Sequence, residues 1–165
     1  MRLQIDGGSQ FHHRHCRNFI RMFSKKFLSK ELSKQILIKL IFKRKKLIGY
    51  GEDQAEVEWV DSSRHPRRFK MTIYINKSPS LLYIISSLAH EMVHVKQYVK
   101  NELIDLSSTD FNVSVYKNKR FNSNKVPYSE QPWEIEAYGR TPGLIIEYFE
   151  KANVAQKLLK YAVDF

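Results

Sequence analysis

The sequence predicts an α+β domain in which helices pack on a short sheet. Three patterns carry that prediction. Residues 11–32 place apolar side chains at helical spacing, three strand-like runs follow between residues 36 and 76, and a second long helix begins near Ser78. At 165 residues the chain is read as one domain, residues 1–165, long enough to bury a core without disulfides.

In the first helix, Cys16, Phe19, Ile20, Phe23 and Phe27 make one stripe, and Arg14, Arg17, Arg21 and Lys25 make another. This is an amphipathic helix with a basic outer face. Strand candidates are residues 36–42, a nearly continuous apolar run; residues 55–60, where Glu56 and Glu58 alternate with Val57 and Trp59; and residues 69–76, where Phe69, Met71, Ile73 and Ile75 share a face. Residues 43–46 (KRKK) and 61–68 (DSSRHPRR) read as polar connections. Ser78 then Pro79 predicts a helix start, with the helix running to about Asn101. Leu81, Ile85, Leu88, Met92, Val95 and Val99 form its core stripe, and His90, His94 and Gln97 form a second. Residues 101–131 are polar, read as a lid or a plain surface loop, with a hairpin pairing 111–116 with 120 onward across 117–119. Residues 132–165 are expected to be helical, broken between Gly139 and Gly143 by Pro142.

The charge is uneven. Residues 1–46 hold 13 Lys/Arg and 2 Asp/Glu, so the whole net charge of +11 lies there, and the rest of the chain is neutral. Such a field attracts polyanions, and the Arg14, Arg17, Arg21, Lys25 stripe is the candidate nucleic-acid contact. A solvated basic face is the plainer reading. No apolar run reaches the roughly 20 residues that span a bilayer, and the N-terminal residues lack a signal-peptide core. The expectation is therefore a cytoplasmic protein without membrane partners. The single cysteine, Cys16, excludes an internal disulfide and a cysteine-based zinc knuckle.

The chemistry is carried by His90-Glu91-Met92-Val93-His94. Histidines four apart on a helix lie one turn above each other, so both imidazoles can reach one metal at about 2.0 to 2.1 Å. Glu91 is rotated by about 100° from His90, beside the place of a metal-activated water, which suits a general base. No histidine follows His94, so a third ligand has to be a carboxylate, and Glu134 or Glu136 in PWEIEAY is the candidate. Two apart on a helix, they point about 200° from each other, so only one can bind. The cluster of His12, His13, His15 and Cys16 is spread around its helix and is a poor second metal site.

HEMVH with Gln97, followed by PWEIEAYG, resembles the zincin-like metallopeptidases found as small uncharacterised proteins of bacteria and their phages, of gluzincin type and loosely SprT-like. The resemblance covers residues 74–139. It implies a zincin-like fold with a three-stranded sheet, a zinc cofactor, a peptide or protein substrate and a bacterial or phage-infected host cell. In the gluzincin pattern the third ligand is the first Glu of E-x-x-A, which corresponds to Glu134 and leaves Glu136, Gln97 and Tyr138 in supporting or alternative-ligand positions. Tyr138 stands where many such proteins carry Asp or Asn. The resemblance further implies that strand residues 70–76 form an open edge on which an extended substrate adds as a strand. Tyr116, Tyr128 and Tyr138 are candidates for a hydroxyl that stabilises an oxyanion. Two other readings remain: a nucleic-acid-associated protein, or a phage structural protein, that uses such a scaffold without proteolysis.

Overall fold

A computed structural model describes residues 1–45, 54–61, 64–77, 79–106 and 112–152. The chain begins with β1 (Arg2–Asp6), then α1 (Gln10–Phe27), α2 (Lys30–Gln35), β2 (Leu37–Arg44), β3 (Ala55–Trp59) and β4 (Arg68–Ile75). It continues with α3 (Leu81–Val99), β5 (Leu103–Asp105), β6 (Val113–Tyr116), β7 (Lys119–Asn122), a 3-10 turn (Tyr128–Glu130) and α4 (Pro132–Lys151). None of these helices is long and apolar enough to cross a membrane.

The α+β class is as expected, but the main sheet has four strands rather than three, in the order β1-β2-β4-β3. The first three are parallel and β3 is antiparallel to β4. Strand β1 is the addition. It has only two inward apolar residues, Leu3 and Ile5, and both stay half-buried, so it lacks the run that marks a strand in isolation. Its turn into α1 uses Gly7 and Gly8 at φ of 72° and 71°. A Cβ on Gly7 would stand 2.7 Å from the Phe42 carbonyl oxygen, so the turn lies too close to β2 for any other residue.

Residues 70–76 are not an open edge. Strand β4 lies between β2 and β3, and among the described residues the unpaired side on this half of the sheet belongs to β3. Lys43 and Arg44, expected in a connection, continue β2 because they pair with Tyr74 and Ile75.

Helix α1 stops at Phe27, short of residue 32. Leu28 turns extended, and Ser29 starts α2 by accepting from the Leu32 amide at 3.1 Å. Helix α3 is capped by Ser80, which accepts from the Tyr83 amide at 3.1 Å; Pro79 precedes the helix, and Ser78 lies outside the described residues. Alternate β2 and β4 side chains, including Ile38, Leu40, Phe69, Met71 and Ile73, are buried with Phe19 and Phe23 of α1 and Ile85, Leu88 and Met92 of α3. Each such side chain contributes roughly 1.5 to 3 kcal/mol. On α3, Ile84, Ala89 and Val93 are also buried, outside the predicted stripe, in the same core cluster as Ala137 and Leu144 of α4.

Residues 101–131 hold a small sheet, β5-β6-β7, instead of a plain loop. Its hairpin turns at Lys117 and Asn118, both at positive φ (47° and 67°), the backbone of a two-residue turn whose twist suits the flanking strands. Phe111 lies outside the described residues. Leu103 and Tyr116 pack with Trp133, which ties this sheet to the start of α4. The expected break in α4 is absent. Pro142 is exposed, and the carbonyl its missing N–H would have met, that of Tyr138, is on a residue open to water; Gly139 and Gly143 face open space. Residues 153–165, also expected to be helical, lie outside the described residues.

Candidate metal centre

Two helices build the site. Helix α3 presents His90, half-buried, and His94, buried; Pro132 opens α4, and buried Trp133 anchors its first turn, which brings Glu134 against α3. The Nε2 atoms of His90 and His94 are 3.2 Å apart. Glu134 lies 3.3 Å from each, by Oε2 to His90 and Oε1 to His94. Three donors around a tetrahedral ion at about 2.0 to 2.1 Å would be separated by about 3.3 to 3.4 Å. The two imidazole nitrogens meet that spacing, each has one Glu134 oxygen at a similar distance, and among the described residues these three are the group that could hold a metal ion. Glu136 is not part of it, as the opposite directions of the two carboxylates require.

Glu136 instead collects donors: Lys96 Nζ at 2.8 Å, Arg140 Nε at 2.7 Å, the Tyr116 hydroxyl at 2.6 Å and Gln97 Nε2 at 3.2 Å. Burial alone would raise its carboxyl pKa, but these donors hold it far below the usual range. Lys96, itself buried, also pairs with Glu102. Gln97 spans between the two groups. Its Oε1 lies 2.9 Å from His94 Nδ1, and its Nε2 donates to the Trp133 carbonyl at 3.0 Å as well as to Glu136.

The three tyrosines separate cleanly. Tyr128 donates to Glu134 Oε2 at 2.7 Å, Tyr116 is committed to Glu136, and Tyr138 lays its ring beside the His90 ring at 4.6 Å between centroids. Burial and the Glu134 carboxylate push the Tyr128 pKa well up, so its hydroxyl remains a donor. Glu91 is buried at 6% exposure, and its charge acts on His94, Tyr98 and Tyr128.

For Glu134, burial favours the neutral acid, but hydrogen bonds from His90, His94 and Tyr128 outweigh it and hold the pKa at about 2, against an ordinary 4.5. For His94, burial works against the charged ring, yet the hydrogen bond and charge of Glu134, with Glu91 behind them, leave its pKa raised. A carboxyl whose pKa is depressed on folding contributes stability above its unfolded pKa and loses it as pH falls through the folded value. The metal-free protein, kept in chelator, should therefore lose thermal stability between about pH 4.5 and about pH 2 more steeply than Glu134→Gln. Equal slopes would remove Glu134 from the acid sensitivity.

The other histidines are engaged elsewhere. His12 completes the capping box of α1, His13 Nε2 donates to the Gly7 carbonyl at 2.6 Å, and His15 Nδ1 meets the Tyr148 hydroxyl at 2.6 Å. Cys16 is fully buried, which pushes its thiol up to about 12. Arg14, Arg17, Arg21 and Lys25 are exposed on α1 and are not part of the His90, His94, Glu134 group. Sequence reasoning missed Lys96 and Arg140. Arg140 was within reach, four residues after Glu136 on one helix; Lys96 depends on how α3 meets α4, which no local spacing encodes.

Compared with known proteins, the chain matches no family model, no curated protein and no solved structure.

Proposed function

We propose that the chain is a zincin-like, zinc-dependent metallopeptidase. One observation carries the reading: two imidazoles and a carboxylate from separate helices converge at 3.2 to 3.3 Å, with a buried glutamate next in sequence to the first of them. His90, His94 and Glu134 hold the ion. Bound zinc supplies Lewis acidity, which acidifies water and polarises a carbonyl oxygen. Glu91 removes the proton from the attacking water and returns it to the departing amine. Tyr128, whose hydroxyl stays protonated beside Glu134, donates to the oxygen that gains charge. Strand β3, whose outer side is unpaired among the described residues, replaces β4 as the edge along which an extended peptide adds. Metal analysis of the purified protein, followed by cleavage of a peptide library, tests the assignment. Absence of zinc uptake would remove the centre.

A second reading, association with nucleic acid, is favoured by a separate surface. A groove between α1, α2 and the start of β1 is lined by Arg17, Arg21, Lys25, Lys30 and Lys34 and by no carboxylate. Arg14 stands beyond it, over the Phe11 ring at 5.7 Å. If about four of these cations neutralise phosphates, affinity for a short DNA duplex falls roughly 10²-fold between 50 and 200 mM salt. The variant Arg21→Glu with Lys25→Glu should flatten that dependence. Salt-independent binding, or none at low salt, rejects the reading.

A further inference from the structure

We propose that Gln97 is a positioning residue for the metal centre: held by Trp133 and Glu136, its amide fixes which nitrogen of His94 faces the metal and couples that ligand to Glu134. The inference rests on the metal-centre reading above.

The Gln97 side chain has no exposed surface, and each end of its amide meets a defined partner. One end lies 3.0 Å from the Trp133 carbonyl and 3.2 Å from Glu136 Oε2. The Trp133 oxygen is an acceptor only. Glu136 is surrounded by donors from Lys96, Arg140 and Tyr116, so its oxygens also act as acceptors. The amide nitrogen has to be the end that faces them, because a flipped amide would set its oxygen against two others and its N–H groups against the imidazole. The carbonyl end is thereby left to His94 Nδ1 at 2.9 Å. An acceptor there requires a hydrogen on Nδ1. In the neutral ring that would ligate a metal, the lone pair therefore lies on Nε2, the atom that faces His90 Nε2 and Glu134.

The same amide does a second thing. Trp133 directly precedes Glu134, so the bond from Gln97 to the Trp133 carbonyl holds the first turn of α4 at the height of His94. Two ligands from different helices are thus fixed by one side chain, and Lys96, Arg140 and Tyr116 fix that side chain in turn through Glu136. Partners of this kind orient a histidine ligand and raise its basicity, and their loss costs roughly 10- to 100-fold in metal affinity. The sequence carries the arrangement as Gln97, three residues after His94, and Glu136, two after Glu134.

The test uses the full chain and zinc alone, titrated in competition with a chromophoric chelator. Gln97→Met keeps length and volume while removing both polar ends. It is expected to bind zinc roughly 10- to 100-fold more weakly than wild type. In nitrogen-15 spectra of the zinc-loaded proteins, a protected Nδ1–H of His94 is expected in wild type and should vanish in the variant. A packing role alone would lower thermal stability without moving that signal. Wild-type zinc affinity in Gln97→Met, or a His94 proton on Nε2 in the zinc-loaded wild type, overturns the proposal. Should Gln97→Met fail to fold, Glu136→Gln decides: weaker zinc binding with partial loss of the Nδ1–H signal supports it, and wild-type values for both overturn it. A wild-type protein that takes up no zinc sinks the metal centre itself, whereas zinc-binding wild type with an unaltered variant sinks only the role of Gln97.

Discussion

Glu91→Gln is expected to lower peptide hydrolysis by roughly 10²- to 10⁴-fold, the usual contribution of a positioned general base. That corresponds to about 3 to 5 kcal/mol of transition-state stabilisation. The substitution keeps the shape of the side chain and removes only its ability to take a proton. Glu91 is not one of the three converging ligands, so zinc content should stay at the wild-type level. The loss should fall on kcat with KM little changed, because the proton moves only in the transition state. Glu91 is buried, so the unfolding temperature has to be compared beside the rates. Equal hydrolysis by both proteins, with equal zinc, would take Glu91 out of the mechanism.

The site was more legible in the sequence than the sheet around it, for a physical reason. Metal ligation on helices is written in local spacing: His90 and His94 are one turn apart, and the roughly 200° between Glu134 and Glu136 means that only one can join them. The structure brings Glu134 to the histidines and turns Glu136 towards Lys96 and Arg140. Strand order is not local. Nothing in residues 69–76 says that β3 would cover the outer side of β4, and the edge expected there is interior as a result. Likewise β1 exists because Arg2 to Asp6 find β2 as a parallel partner, with two half-buried apolar residues contributing little of their own. Pro142 misled for a related reason. A proline costs a helix one bond, but at an exposed position water meets the freed carbonyl, and the buried contacts of Ala137, Leu144, Tyr148 and Phe149 keep α4 running. The hairpin turn was readable because Lys117 and Asn118 sit between two short alternating segments, although its attachment to Trp133 depends on tertiary packing.

Removing a ligand should have the largest effect on the ion, and comparing two glutamates decides which of them is that ligand. Zinc sites of four protein ligands bind with about 10 to 16 kcal/mol, so one ligand carries about 3 to 4 kcal/mol, or roughly 10²- to 10³-fold in affinity. Glu134→Ala and His94→Ala are each expected to lose zinc by about that factor. Glu136→Ala acts only through Gln97, one hydrogen bond further out, and should cost less than Glu134→Ala. Their effects on the metal-free fold run the other way. Glu134→Ala removes a carboxylate bonded to His90, His94 and Tyr128, and of these Tyr128 is exposed and His90 only half-buried, so both can meet water instead. Glu136→Ala leaves the buried Lys96 with Glu102 as its remaining ion-pair partner among the described residues and frees the Tyr116 hydroxyl beside the small cluster of Leu103, Tyr116 and Trp133. Leaving a buried charge short of a partner is among the costlier substitutions, so Glu136→Ala should lower the unfolding temperature of the chelator-treated protein more than Glu134→Ala does. One carboxylate would then serve the ion and the other the fold. Should the order reverse, with Glu136→Ala losing zinc and Glu134→Ala keeping it, the carboxylate ligand would be Glu136, and the 3.3 Å contacts of Glu134 with His90 and His94 would be ion pairs that hold no metal.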